Sequence, residues 1–335
     1  MAVRAFSKKV LYFHNAGRVL YNKACRLVDN NKLIEGLEYF RKAVKLEPEN
    51  IEYMLALAET YTDMSCFEES NAVLDTIMEA GEEMADCVYL MGCNYLGMHD
   101  YYKAKDSFSL YLDIEPDGEY ADQALEIVEI MRDNNLTERH PRAVVDAAIK
   151  GKESLDKGEF KKAISLYEKL LSEYPYADFV KNNMALAYYC DEQPDKAISV
   201  CRSVLESRPE NIHANCNLAI FLSGVDEKAE AKKVIQKVLS MDVSEPEDIN
   251  KVALTLCELN MHEEALVYLR RVLAYRPYDK KLLHYKAIAL YNCGEFQEAA
   301  DCWRKISRID PDNKVPAYYL NLILLKRQLK HRQDR

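Results

Sequence analysis

The stretch "KLEPEN" at Lys45–Asn50 is followed at a distance by "ESRPEN" at Glu206–Asn211 and "RIDPDN" at Arg308–Asn313. Each copy comes after an apolar run with helical spacing. Proline has no N–H to donate and disfavours helix at the residue before it, so each copy closes one helix and introduces the next. Prolines stand at 48, 116, 175, 209, 277 and 311, separated by 68, 59, 34, 68 and 34 residues. Four of the five gaps are 34 or twice 34, which is the mark of a repeated structural unit.

On that period eight units begin at Gly17, Ile51, Ala85, Val144, Asp178, Ile212, Pro246 and Lys280. Their eighth places hold Ala24, Ala58, Gly92, Gly151, Ala185, Ala219, Ala253 and Ala287. Their twentieth places hold Gly36, Ser70, Ala104, Ala163, Ala197, Ala231, Ala265 and Ala299. All are small. Two antiparallel helices approach closely only where no side chain holds their backbones apart, so these pairs mark a helix crossing in every unit. Larger groups fill the space around it: Tyr61, Tyr95 and Tyr188 at the eleventh place, and Phe40, Phe108, Tyr167 and Trp303 at the twenty-fourth.

Small residues at places eight and twenty, an aromatic near twenty-four and proline at thirty-two resemble the tetratricopeptide repeat over nearly the whole chain. The resemblance implies an all-α, right-handed superhelical solenoid of about eight antiparallel helix pairs. It departs at Glu82 and Val243, which replace the expected proline, and in lacking the usual early Trp; the turn "SGVDEKAEA" makes the sixth hairpin the weakest match. The 59-residue gap leaves room for an extra amphipathic helix in "YADQALEIVEIMRD", followed by the break "NNLTERHP". The organisation expected is an N-terminal cap at 1–16, a first arm of three repeats at 17–118 and an inserted helix and linker at 119–143. A second arm of five repeats at 144–313 and a capping helix with a basic tail at 314–335 complete it. Solenoid ends need caps because each terminal unit has an unpaired apolar face.

The 335 residues are 49% hydrophobic and 30% charged, with 10 Gly and 10 Pro, a composition that favours soluble helical structure. No secretory signal core and no long apolar span is evident, so no membrane insertion is expected. Ten cysteines without a C-x-x-C pair fit a reduced, cytoplasmic protein. Nucleotide-binding, zinc-protease and serine-hydrolase motifs are lacking, and Cys and His are scattered. The expectation is no catalysis, no cofactor and no metal. The tail "KRQLKHRQDR" reads as cations at a helix C-terminus rather than a nucleic-acid contact, because the chain as a whole carries a net charge of -10.

What a helical solenoid offers instead is a groove lined by the first helix of each unit. In units two and three this face carries Glu52, Glu59, Asp63 and Asp86. Residues 51–136 hold 20 Asp plus Glu against 3 Lys plus Arg, whereas residues 1–50 and 137–335 are each slightly basic. A groove of one sign attracts the opposite charge, so a basic peptide or protein segment is the partner expected at 51–118. A solvated acidic surface is the plainer alternative. In units five to seven the face carries Phe179, Asn182, Asn183, Tyr189, His213, Asn217 and Asn250. Side-chain amides both donate and accept, which suits an extended peptide backbone. Ordinary polar surface is again the alternative. The function expected is therefore a non-catalytic scaffold binding a peptide or protein segment. A regulator whose arms close on a peptide, or a non-catalytic subunit of an enzyme complex, are the rivals.

Overall fold

The computed structural model of the chain describes residues 16–80, 85–133, 142–175 and 177–333. All regular structure among them is helical. Helices α1 (Ala16–Asp29) and α2 (Leu33–Leu46), α3 (Ile51–Asp63) and α4 (Phe67–Glu79), and α5 (Ala85–Gly97) and α6 (Tyr101–Ile114) form the first three pairs. The inserted helix is α7 (Ala121–Asp133). Then come α8 (Arg142–Asp156) and α9 (Phe160–Glu173), α10 (Asp178–Cys190) and α11 (Pro194–Ser207), and α12 (Ile212–Gly224) and α13 (Lys228–Leu239). The last pairs are α14 (Pro246–Glu258) with α15 (His262–Tyr275) and α16 (Lys280–Asn292) with α17 (Phe296–Ile309), followed by α18 (Val315–Gln333). The expected N-terminal cap at 1–16 and the break at 134–141 lie essentially outside the described residues, as does Glu82.

The recurring turn does two jobs. Its proline ends a helix, and its asparagine starts the next: Asn50 Oδ1 accepts from the Tyr53 N–H at 3.2 Å and Asn211 Oδ1 from the Ala214 N–H at 2.8 Å. Asn313 does the same for Val315 at 3.0 Å. These side chains satisfy N–H groups that a helix start leaves orphaned. Inside each pair the other turn is equally regular. The fifteenth residue of every unit has positive φ: Asn31, Ser65, His99, Gly158, Glu192, Asp226, Asn260 and Gly294. The sixth pair, the weakest sequence match, closes in the same way at Asp226 with φ 67°.

The small residues are where the pattern requires them. Every alanine at places eight and twenty is buried, as is Ser70. The aromatics Phe40, Phe108, Tyr167 and Trp303 are buried as well. Two eighth places are glycine for a local reason. A Cβ on Gly92 would lie 2.8 Å from the Phe108 ring, and one on Gly151 would lie 2.4 Å from the Tyr167 ring. Ser70 brings a hydroxyl into a dry crossing, and α5 supplies its partner. Asn94, fully buried, donates to Ser70 Oγ at 2.9 Å and to Asn71 Oδ1 at 2.7 Å, while Thr62 Oγ1 donates to Asn94 Oδ1 at 2.7 Å. Each buried polar atom in this knot is satisfied, so it joins the second pair to the third rather than weakening the core.

By internal contacts the described residues form two compact units, one from those within 1–139, 276–280 and 303–335 and the other from those within 140–275 and 281–302. In the first unit α7 follows α6 as a further layer. Ala124 and Met131 are buried, and Tyr111 Oη accepts from the Tyr120 N–H at 2.9 Å. At the far end of the chain α18 places Tyr319 on Trp303, with ring centroids 4.6 Å apart and nearly parallel. In the second unit Tyr167, Cys201 and Phe221 belong to a cluster of buried residues that runs from Val144 to Ala231.

The Gly151 contact gives a direct test of the close crossing. Alanine is the better helix former by about 1 kcal/mol. Gly151→Ala nevertheless forces a methyl group into the Tyr167 ring, and overpacking of this kind costs about 1–3 kcal/mol. The variant is expected to unfold at a lower temperature than the parent when ellipticity at 222 nm is followed on heating.

Candidate binding faces

In the first unit the face presented by α3 and α5 separates the four acidic residues singled out from the sequence. Glu52 is paired with the Arg18 guanidinium of α1, so it links the first repeat to the second. Glu59, Asp63 and Asp86 are solvent-exposed and have no basic partner among the described residues. Burial, then the charges of Asp63 and Asp86, push the Glu59 carboxyl above its ordinary value. Burial alone pushes Asp63 up. Glu59 and Asp63 are at once accessible to water and crowded by protein. Tyr120 sits close to the cluster: burial raises its pKa first, and the charges of Glu119, Asp86 and Glu59 add to the shift. Tyr89 stacks on Tyr120 with centroids 4.4 Å apart and donates its hydroxyl to Gln123 Oε1 at 3.0 Å. The tyrosine pair was not legible in the sequence, because Tyr120 lies outside the repeat register.

In the second unit the amide-bearing residues divide in the same way. Asn182 and Asn217 are buried, 8% and 4% exposed, and Asn217 is engaged at both ends of its amide. Its Nδ2 donates to the Asn182 carbonyl at 3.2 Å, and its Oδ1 accepts from Lys251 Nζ at 2.6 Å. Asn217 therefore ties α10, α12 and α14 together. Phe179, Asn183, Tyr189, His213 and Asn250 are half-buried. Tyr189 stacks on Phe221 at 4.4 Å. His213 Nε2 lies 3.4 Å from Asp248 Oδ1. Burial and the Lys251 charge lower the His213 pKa, and Asp248 and Glu247 oppose them without reversing the shift. Lys251, absent from the residues singled out by sequence, is the cation of this face. Burial pulls its pKa below the ordinary lysine value.

Among the described residues no group of three or more His, Cys, Asp or Glu is placed to hold a metal ion. Every cysteine pKa that is displaced is displaced upward, with burial the leading cause, as at Cys66 and Cys201, each near 12. Such thiols are poor nucleophiles. No described helix is long and apolar enough to cross a membrane.

Stacked helix pairs with small-residue crossings, prolines at a 34-residue period and polar first-helix faces define a tetratricopeptide-repeat protein. Tetratricopeptide repeat models match residues 17–50, 134–256 and 281–313, and the chain belongs to that superfamily. It is 28% identical over 317 residues to the TPR repeat-containing protein YvcD of Bacillus subtilis, a match covering 91% of this chain and 64% of the relative. The chain thus spans less than two thirds of that relative's length. Among solved structures, a tetratricopeptide repeat protein from Parabacteroides merdae is 14% identical with a TM-score of 0.40, covering 92% of this chain and 99% of that one. The TPR2AB domain of yeast Sti1, solved as a pHSP90 complex, is 17% identical with a TM-score of 0.33, covering 76% and 96% respectively.

Asn183, half-buried, and Asn217, enclosed and bonded at both ends, differ in what their side chains hold. Asn217→Ala removes the acceptor of a half-buried ammonium and the donor to a backbone carbonyl, a loss of about 1–3 kcal/mol. Asn183→Ala should stay within about 0.5 kcal/mol of the parent. Urea denaturation of the two variants side by side checks the contrast.

Proposed function

We propose that this chain is a non-catalytic scaffold whose first-helix faces bind extended segments of other proteins, and that the face of the first unit takes a basic segment. Tetratricopeptide repeat proteins are interaction scaffolds in general, which sets the class. The observation that carries the finer reading is the trio Glu59, Asp63 and Asp86. Three exposed carboxylates on consecutive first helices lack internal cations, in a stretch of the chain where acidic residues outnumber basic ones 20 to 3. The aromatic pair Tyr89 and Tyr120 beside them offers flat apolar surface to the methylene stems of Lys or Arg. In the second unit Phe179, Asn183, Tyr189, His213 and Asn250 form the corresponding face, with Lys251 as its cation.

The raised carboxyl pKa values give this reading a thermodynamic signature. The folded chain binds protons at Glu59 and Asp63 more tightly than the unfolded chain does. Stability from these groups is therefore greatest below the ordinary carboxylate range and declines as pH rises through the unfolded and then the raised folded values. At neutral pH the cluster destabilises the free protein, as a site kept for a cationic partner does.

Neutralising it should therefore separate stability from binding. Glu59→Gln/Asp63→Asn/Asp86→Asn is expected to unfold about 1 °C higher, because solvent screening limits the gain to about 0.5 kcal/mol. The same variant should lose about tenfold or more in affinity for Lys/Arg-rich peptides, read by fluorescence anisotropy at low salt. Equal peptide affinity for parent and variant would remove the acidic face from the proposal.

A further inference from the structure

The first unit contains a second charged assembly, away from the faces just described. It joins α2 and α4 to two short segments more than 200 residues further along the chain. Arg308, in the last turn of α17, donates through Nε to Glu38 Oε1 at 2.9 Å and lies 3.4 Å from Glu35 Oε1. The exchange is reciprocal. Arg41, one turn beyond Glu38 on α2, donates to the backbone carbonyls of Arg308, at 3.2 Å, and of Ile309. Those carbonyls belong to the end of α17, where a helix has no internal donors left and its dipole favours a cation. Arg41 is itself held in place by the Tyr61 hydroxyl, which accepts from its Nε at 3.0 Å and its Nη2 at 2.8 Å. Beside this group Lys280 pairs with Glu69 of α4 and lies 3.2 Å from Asp310.

Three cations and four carboxylates thus interlock: α2 and α4 together supply Glu35, Glu38, Glu69 and Arg41, and the two later segments together supply Lys280, Arg308 and Asp310. Their side chains are 28 to 43% exposed where they pair Arg308 with Glu35 and Lys280 with Glu69. Partly exposed ion pairs are individually weak and are screened by salt. The assembly holds because the tether keeps both sides at high effective concentration, and it yields when ions compete for it.

We propose that residues 276–280 and 303–310 form a reversible ionic latch on α2 and α4, in which Arg308 and Lys280 occupy an acidic surface, Glu35, Glu38 and Glu69, that becomes available to a cationic partner when the latch opens. The latch is independent of the Glu59, Asp63 and Asp86 face, and the loss of either leaves the other standing.

Zero-length cross-linking of the full chain tests it. A carbodiimide joins Lys280 Nζ to the Glu69 carboxyl only while the two touch. The product is identified by mass spectrometry in the monomer fraction and normalised to the local Lys162–Glu159 product, a pair 2.7 Å apart within one turn. The Lys280–Glu69 product is expected at about 50 mM NaCl and should fall about fivefold at about 0.5 M, where the screening length is several times shorter. Arg308→Glu should lower it similarly at low salt with the helical spectrum unchanged. Adding Glu35→Arg and Glu38→Arg to that variant should restore it, which a general loss of folding would not allow. The latch is overturned if the product is missing from the monomer, appears only in covalent dimers, persists unchanged in salt and in Arg308→Glu, or fails to return in the charge-reversed variant.

Discussion

The structure depends on how closely two helices of one pair can approach. At the eighth and twentieth places there is at most a methyl or hydroxymethyl group, and the backbones cross there with nothing larger between them. That distance fixes where the twenty-fourth-place aromatic lies, and the aromatic then fills the space that the crossing leaves. Gly92 and Gly151 show how tightly the two conditions are linked, since the rings of Phe108 and Tyr167 come near enough to exclude even a Cβ. Interiors packed to crystal-like density have no slack with which to absorb a methyl group. The repeat persists through the chain because each pair must offer its neighbour the same shape.

Once the apolar layers are set, polar residues between repeats meet one of two fates. Asn94 and Ser70 are enclosed and bonded to the half-buried Thr62, the amide of Asn217 is engaged at both ends, and these groups act as specific fasteners between successive pairs. Glu59, Asp63 and Asp86 are left at the surface with one another for company, and burial first pushes the carboxyls of Glu59 and Asp63 above their ordinary values. A fold optimised for its own stability would place a cation among them. The contrast with Glu52, which has Arg18, shows that the scaffold can pair an acid on this face. Internal pairing and exposed charge thus fall to different residues on the same helices.

The ionic latch shows a different use of charge. Arg308 and Arg41 each bind what the other's helix presents, a pair of carboxylates in one direction and the carbonyl end of a helix in the other. Capping a helix by a side chain from a distant repeat joins two parts of the chain through polar contacts. Because the groups are only partly buried, such a contact is sensitive to ionic strength in a way that the cores of the repeats are not.

By itself the sequence determined the helix pairs, their number, the inserted helix α7 and the terminal helix α18. Prolines and small side chains act through local backbone chemistry and through steric limits that recur every 34 residues, so a one-dimensional pattern carries them. It also located the acidic stretch, with Glu52, Glu59, Asp63 and Asp86 on its first helices, in a chain whose remainder is slightly basic. The tertiary structure alone decided which polar residues are exposed. Asn183 and Asn217 occupy the same place in consecutive units, yet the first is half-buried and the second is enclosed between Asn182 and Lys251. It alone showed that the fifteenth place of every unit has positive φ, since hairpin closure imposes that geometry on Asn, Ser, His, Glu and Asp as well as on Gly. It alone joined Arg308 to Glu38. Burial and long-range pairing depend on what neighbouring repeats bring to a position, and no residue's own identity or spacing encodes that.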